Sequence, residues 1–315
     1  MSYESIELTT DNSELITPKE TAVARRWIVL IGVLTLVAPL MAGAQTGGQE
    51  FFIQLADTQF GAFNGDRSFD QETANYEFAV VNINRLRPRF VVICGDLINK
   101  VGDQAQSAEY FRITAKIDSS IRVYPVAGNH DVGNEPTTET LAYYRQHFGK
   151  DYYSFREGDL YGIVLNSSLI SAPAKAQADA DQQEAWLKEE LAKAKNSGAP
   201  HIVVFQHHSW FLEKADEPTQ YFNIPIERRT GYLEVLKAAG VRYVFAGHYH
   251  RNALGRDGDL EMITSGPVGQ PLGNDPSGIR IVNVRDAGLE HRYYTLGNIP
   301  NQYPPPNAAR GRGAK

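Results

Sequence analysis

An α/β fold is what this sequence predicts, and three observations predict it. From residue 50 onward, short runs rich in β-branched and aromatic residues alternate with longer amphipathic stretches. Most of the short runs are apolar throughout, as in a sheet covered on both faces. Several of them are followed directly by a polar patch, which places functional side chains at strand ends, where open α/β sheets keep their ligand crevice.

Taken in order, residues 51–55, 90–94, 121–126, 161–165, 202–205 and 241–245 read as strands. The intervening helices are expected at 71–86, 105–117, 179–195 and 227–239, the third with Trp186, Leu187 and Leu191 at helical spacing. Residues 261–265, 279–284 and 291–296 look like strands joined by Gly/Pro/Asp turns, which suggests a more antiparallel edge. No internal repeat is visible and no interior linker divides residues 50–297, so one domain is expected there.

The ends of the chain read differently. Arg25 and Arg26 precede an apolar stretch over 27–40, and Ala42-Gly43-Ala44 has the small-x-small form of a signal-peptidase site. Residues 1–44 are therefore expected to be an export leader or, if retained, a short membrane anchor, with the bulk of the chain periplasmic or extracellular. Membrane contact is expected only through that segment. Residues 298–315, with Pro304-Pro305-Pro306 and Arg310-Gly311-Arg312-Gly313, offer little to bury and are expected to be a disordered tail.

Composition narrows the function classes. The 315 residues are 42% hydrophobic and 22% charged, an ordinary globular balance that suits one large α/β domain. The formal charge of -6 argues against nucleic acid as a partner, because tracking a phosphate backbone requires a basic stripe. Cys94 is the single cysteine, so no intrachain disulfide can form, and its apolar surroundings mark it as a core residue.

The polar patches carry the chemistry. They are Asp57-Thr58-Gln59, Gly95-Asp96, Gly128-Asn129-His130-Asp131, His207-His208 and Gly247-His248-Tyr249-His250. Carboxylate, amide and imidazole donors suit hard or borderline divalent cations, and a pair of cations needs a bridging ligand, for which Asp96 is the natural candidate. Gly95 and Gly128 fit places where backbone turns sharply beside an ion or a phosphate. His147, His201 and His291 lack such a context and read as structural. Trp210, Phe211, Tyr221 and Phe222 form an aromatic insertion that can either wall a crevice or pack on the sheet.

These phrases, together with Asp151-Tyr152-Tyr153-Ser154-Phe155 and Gly247-His248-Tyr249-His250-Arg251-Asn252, resemble the calcineurin-like metallophosphoesterase superfamily. Within it the chain is similar to the calcineurin-like phosphoesterase domain-containing protein 1 group, regarded as Ser/Thr protein phosphatases. The resemblance implies a four-layer α/β/β/α sandwich with a dinuclear centre of Mn, Fe, Zn or a mixture. It implies Asp57, Gln59, Asp96 and His250 at the first metal, and Asp96, Asn129, His207 and His248 at the second. His130 would donate to the substrate, and His208 would line the pocket or pack.

Two departures stand out. Gln59 occupies a position where the wider superfamily has histidine, and it is a neutral, weaker oxygen donor. Asn99 stands where the phosphoprotein phosphatase branch has an aspartate that orients the catalytic histidine, which suggests that His130 acts more by hydrogen bonding than by full proton donation. The expected reaction is hydrolysis of phosphomonoesters, in a small molecule or a phosphoprotein, by a hydroxide held between the two metals. A phosphodiesterase on the same centre, or a degenerate binding module, are the alternatives.

Overall fold

The structure, a computed structural model, describes residues 51–303; the leader 1–44 and residues 304–315 of the expected tail lie outside the described residues. In chain order the first half contains β1 (Phe51–Leu55), α1 (Asp70–Leu86), β2 (Phe90–Ile93), α2 (Gln104–Thr114), β3 (Arg122–Pro125), α3 (Asn129–Val132), α4 (Thr138–His147), β4 (Tyr153–Glu157) and β5 (Leu160–Val164). The second half contains α5 (Ser167–Ser171), α6 (Gln177–Asn196), β6 (His201–Phe205), α7 (Ile226–Ala238), β7 (Val241–Ala246), β8 (Ala253–Asp257), β9 (Leu260–Thr264), β10 (Gly278–Arg285) and β11 (Gly288–Thr295).

Two sheets result. The first has the order β11-β10-β1-β2-β3, with β1, β2 and β3 parallel and β10 and β11 antiparallel. The second has the order β4-β5-β6-β7-β9-β8, parallel from β5 through β9 and antiparallel at both edges.

Strand alternation turns these sheets into four layers. In β1 and β2, Phe51, Ile53, Leu55, Val91 and Ile93 face a core shared with α1, α2 and α4, while Phe52, Phe90 and Val92 face the other sheet. In β6 and β7, Val203, Phe205, Tyr243 and Phe245 face the same inter-sheet core, while Ile202, Val204, Val244 and Ala246 face α6 and α7. A residue period of two on strands buried from both sides therefore yields the α/β/β/α sandwich. Aromatic rings fill its centre: Phe52 lies 4.6 Å from Phe90, 5.7 Å from Phe205 and 5.6 Å from Phe245 between ring centroids.

The expected strands and helices are present, and two further strands are edges. β4 and β8 are only partly buried and carry Ser154, Arg156, Gly255 and Arg256, so neither shows an apolar run. The short polar helix α4 buries just Leu141 and Tyr144, too few apolar residues to mark a helix. Residues 298–303 of the expected tail are ordered. A 3-10 turn at Leu296–Asn298 leads to Ile299 and Tyr303, both packed on the first-sheet core. The Tyr303 ring lies 4.7 Å from Phe51, and its hydroxyl accepts a hydrogen bond from Asn283. One aromatic ring with a strand face beneath it orders residues that composition alone marks as polar.

Candidate metal centre

Five of the seven residues expected to ligate metal have left-handed backbone. Asp57 (φ 52°) and Gln59 (φ 39°) follow β1, Asp96 (φ 49°) follows β2, and His248 (φ 65°) and His250 (φ 54°) follow β7. A left-handed residue with a side chain costs ~1–2 kcal/mol, and such strain concentrates where function over-determines geometry. Cross-strand hydrogen bonds hold these turns: Asp57 N donates to Gly95 O (3.0 Å), Gln59 N to Asp96 O (2.8 Å) and Gly247 N to His207 O (3.0 Å). Contacts at two glycines are just as tight. A Cβ on Gly95 would lie 2.4 Å from His207 Nδ1, and one on Gly128 would lie 2.1 Å from Asp96 N.

The side chains converge. Asp96, His207 and His248 form one buried cluster, and Asp57, Asp96 and His250 a second, each with its potential ligand atoms within 4.8 Å of one another. Asp96 belongs to both, as a bridging carboxylate must. Asn129 Oδ1 joins the first of these clusters at 2.9 Å from His207 Nε2, which is also 3.2 Å from Asp96 Oδ2. Gln59 Oε1 is buried and has no hydrogen-bond partner. A buried acceptor left open beside two carboxylates and several imidazoles suits a cation, which supplies the missing charge. The donor set therefore fits two divalent ions of the Mn, Fe or Zn kind, with no feature that selects among them.

Electrostatics agree with a site built for positive charge. Burial opposes a charge on Asp96, but His207 beside it holds the carboxyl well below its ordinary range. Burial likewise opposes protonation of His207, yet Asp96 and Asp57 outweigh it and pull the ring up to about 9. Burial and the His207 charge push His248 down to about 4, whereas Asp57 overcomes burial at His250 and raises it. Without cations, a proton on His207 offsets part of the carboxylate charge.

A family profile for calcineurin-like phosphoesterases matches residues 52–252, a span containing every residue of both clusters. The chain belongs to this family. As a calcineurin-like phosphoesterase it is a metal-dependent hydrolase acting on phosphoesters. It is 38% identical to the serine/threonine-protein phosphatase CPPED1 of Mus musculus over 80% of this chain and 86% of that protein. The Homo sapiens protein of the same name is 38% identical over 84% and 90%. In fold it resembles the purple acid phosphatase PPD1 of yellow lupin, with a TM-score of 0.60 at 14% identity over 80% of this chain and 52% of that one. Plasmodium GAP50 gives 0.58 at 15% identity over 79% and 85%.

Main-chain carbonyls orient the phosphoesterase's imidazoles. His207 Nδ1 bonds to Cys94 O (2.9 Å), His248 Nε2 to Tyr221 O (2.9 Å) and His250 Nδ1 to Gln270 O. Each bond leaves the opposite ring nitrogen as the ligand atom. His130 follows the same rule, and here the sequence expectation needs correction. Its Nδ1 is 2.6 Å from the main-chain oxygen of Asn99, so the Asn99 side chain does not orient it. The main-chain N–H of His130 donates to Asp96 Oδ1 at 2.8 Å.

Asp131 is a functional residue that the sequence reading passed over inside its motif. Its buried carboxylate accepts from Leu97, Ile98 and Gly128 N–H groups at 2.8–3.2 Å, fixing the turn that presents Asp96. His208 lies outside both clusters, with Nδ1 on Ser167 Oγ at 2.9 Å, and burial keeps it neutral. The aromatic insertion divides. Trp210 and Phe211 are buried under the second sheet, whereas Tyr221 and Phe222 line a cleft of about 170 Å³ with Asp96, His130, His248 and His250.

Proposed function

We propose that the enzyme hydrolyses phosphomonoesters, phosphoserine and phosphothreonine in proteins among them, on the outer side of a membrane. The observation that carries the substrate class is the 38% identity, over most of both chains, to relatives named serine/threonine-protein phosphatases. The proposed ligand sets are Asp57, Gln59, Asp96 and His250 for one ion, and Asp96, Asn129, His207 and His248 for the other. When bound, such a pair supplies a low-pKa water nucleophile and neutralises phosphoryl charge.

The chain's own residues do the remaining work. Among the described residues the cleft lining contains no lysine or arginine, and apart from the proposed ligands its polar side chains include His130, Asn99, Tyr221 and Gln270. Because Nδ1–H of His130 is committed to Asn99 O, Nε2 is the remaining nitrogen, and it is the imidazolium form of the ring that can give a proton from Nε2 to the leaving serine or threonine oxygen. Tyr221 and Phe222 form an aromatic wall on one side, suited to the organic part of the ester. Export rests on the N-terminal sequence; among the described residues no helix is long and apolar enough to cross a membrane.

The test is phosphate release by Mn²⁺-loaded enzyme from a phosphoserine peptide, compared with hydrolysis of an aryl phosphodiester. The monoester is expected to be the faster substrate and His130→Ala to lower its turnover by about 10²–10⁴-fold. A faster diester reaction would overturn the assignment.

A further inference from the structure

The amide of Gln59 can ligate a cation only through its oxygen, so something must decide which end of that amide faces the site. A chain of hydrogen bonds outside both metal clusters makes that decision. Gln59 Nε2 donates to Asn99 Oδ1 at 3.0 Å, and Asn99 Nδ2 donates to Asp66 Oδ1 at 2.8 Å. Asp66 also accepts from Gln106 Nε2 at 2.7 Å. The amide of Gln106 is itself fixed, because its Oε1 accepts from the main-chain N–H groups of Asn99 (3.0 Å) and Lys100 (2.9 Å).

The polarity of each link dictates the next. Two backbone N–H donors hold the oxygen of Gln106, so its NH₂ must point at residue 66 and residue 66 must present an acceptor. That acceptor requires the NH₂ of Asn99, which leaves Asn99 Oδ1 facing Gln59. Gln59 must then turn its NH₂ to Asn99 and its oxygen inward, where Oε1 is found buried and unpartnered. Reversing Asn99 would set its oxygen 2.8 Å from the Asp66 carboxylate and aim the Gln59 NH₂, which has no free lone pair, at the cation position.

We infer that Asp66 and Asn99 are positioning residues that make Gln59 a metal ligand in place of the histidine usual in this family. The inference rests on the ligand set proposed above. Asn99 thereby serves two groups, the ligand Gln59 through its side chain and His130 through its carbonyl.

The experiment is Mn²⁺ titration of the chelator-stripped full chain, followed calorimetrically, in the parent and five variants. Gln59→Ala weakens one of two binding steps; no effect there would remove the ligand reading itself. Asp66→Gly keeps the positive φ of this exposed residue without strain and removes only the acceptor. It is expected to weaken the same step by about tenfold, the scale for partners that orient a ligand. Asp66→Asn retains an acceptor oxygen and is expected to bind as the parent does. In a Gln59→His background, Asp66→Gly is expected to change nothing, since imidazole needs no amide polarity. Weakening by Asp66→Asn equal to that of Asp66→Gly, or an undiminished effect in the Gln59→His background, would overturn the relay. So would parental binding by Asp66→Gly while Gln59→Ala binds weakly.

Discussion

The two halves of the centre are prepared in different ways. The half around Asp96, Asn129, His207 and His248 is held by the main fold: His207 rests on Gly95 and bonds to Cys94 O, and Asp131 braces the Asp96 turn from the buried core. In the half around Asp57, Gln59 and His250 one ligand depends on a surface loop, because Gln59 is set through Asn99 by the exposed Asp66. The deep half should therefore be the tighter and less adjustable one, while the outer half can be tuned from the surface without touching the core.

The harshest way to erase the distinction is Asp96→Ala, which removes the shared carboxylate. Turnover should fall on the order of 10⁴-fold, and elemental analysis of the purified protein should find neither ion retained. Next is acidity. His207 is held up to about 9 in the metal-free state, so below that pH an entering ion must displace a proton from it. Affinity of the deep half should drop about tenfold per pH unit between 9 and 7, with one proton released per ion. His248, pushed down to about 4, has no proton to lose in that range. A flat calorimetric profile over pH 7–9 would contradict this account.

Gly95→Ala probes the deep half most directly. Its new methyl would collide with the His207 ring, and deep-half affinity should fall by about 10–100-fold, with a smaller loss in the outer half, whose Asp57 turn bonds to Gly95 O. The mildest change is Tyr221→Phe. The carbonyl that orients His248 stays, and only the phenol, 3.5 Å from Asn129 Nδ2, is lost. A drop in kcat/KM of about fivefold, with unaltered metal content, corresponds to one ordinary hydrogen bond.

Much of this was legible in the sequence because each ligand sits just after an apolar strand, and apolar runs are the most readable local signal. Residue type and place single out the polar patches, the family resemblance picks Asp57, Gln59, Asp96, Asn129, His207, His248 and His250 within them, and the structure brings these side chains close together. What escaped notice works through groups that every residue possesses. The carbonyls of Cys94, Asn99, Tyr221 and Gln270 orient the four imidazoles, and no side-chain pattern reveals them. Asn99 illustrates the point: its side chain suggested a weakened brace for His130, whereas its main chain supplies the brace. Edge strands β4 and β8 were missed for a different reason, since half-exposed polar strands lack the apolar run that marks central ones.

Both clusters draw on both sheets. Asp57 and Asp96 come from the first, His207, His248 and His250 from the second. Any cation seated there is a rivet through the middle of the sandwich, so the protein that can no longer pull its two leaves apart is the same one that is ready to work.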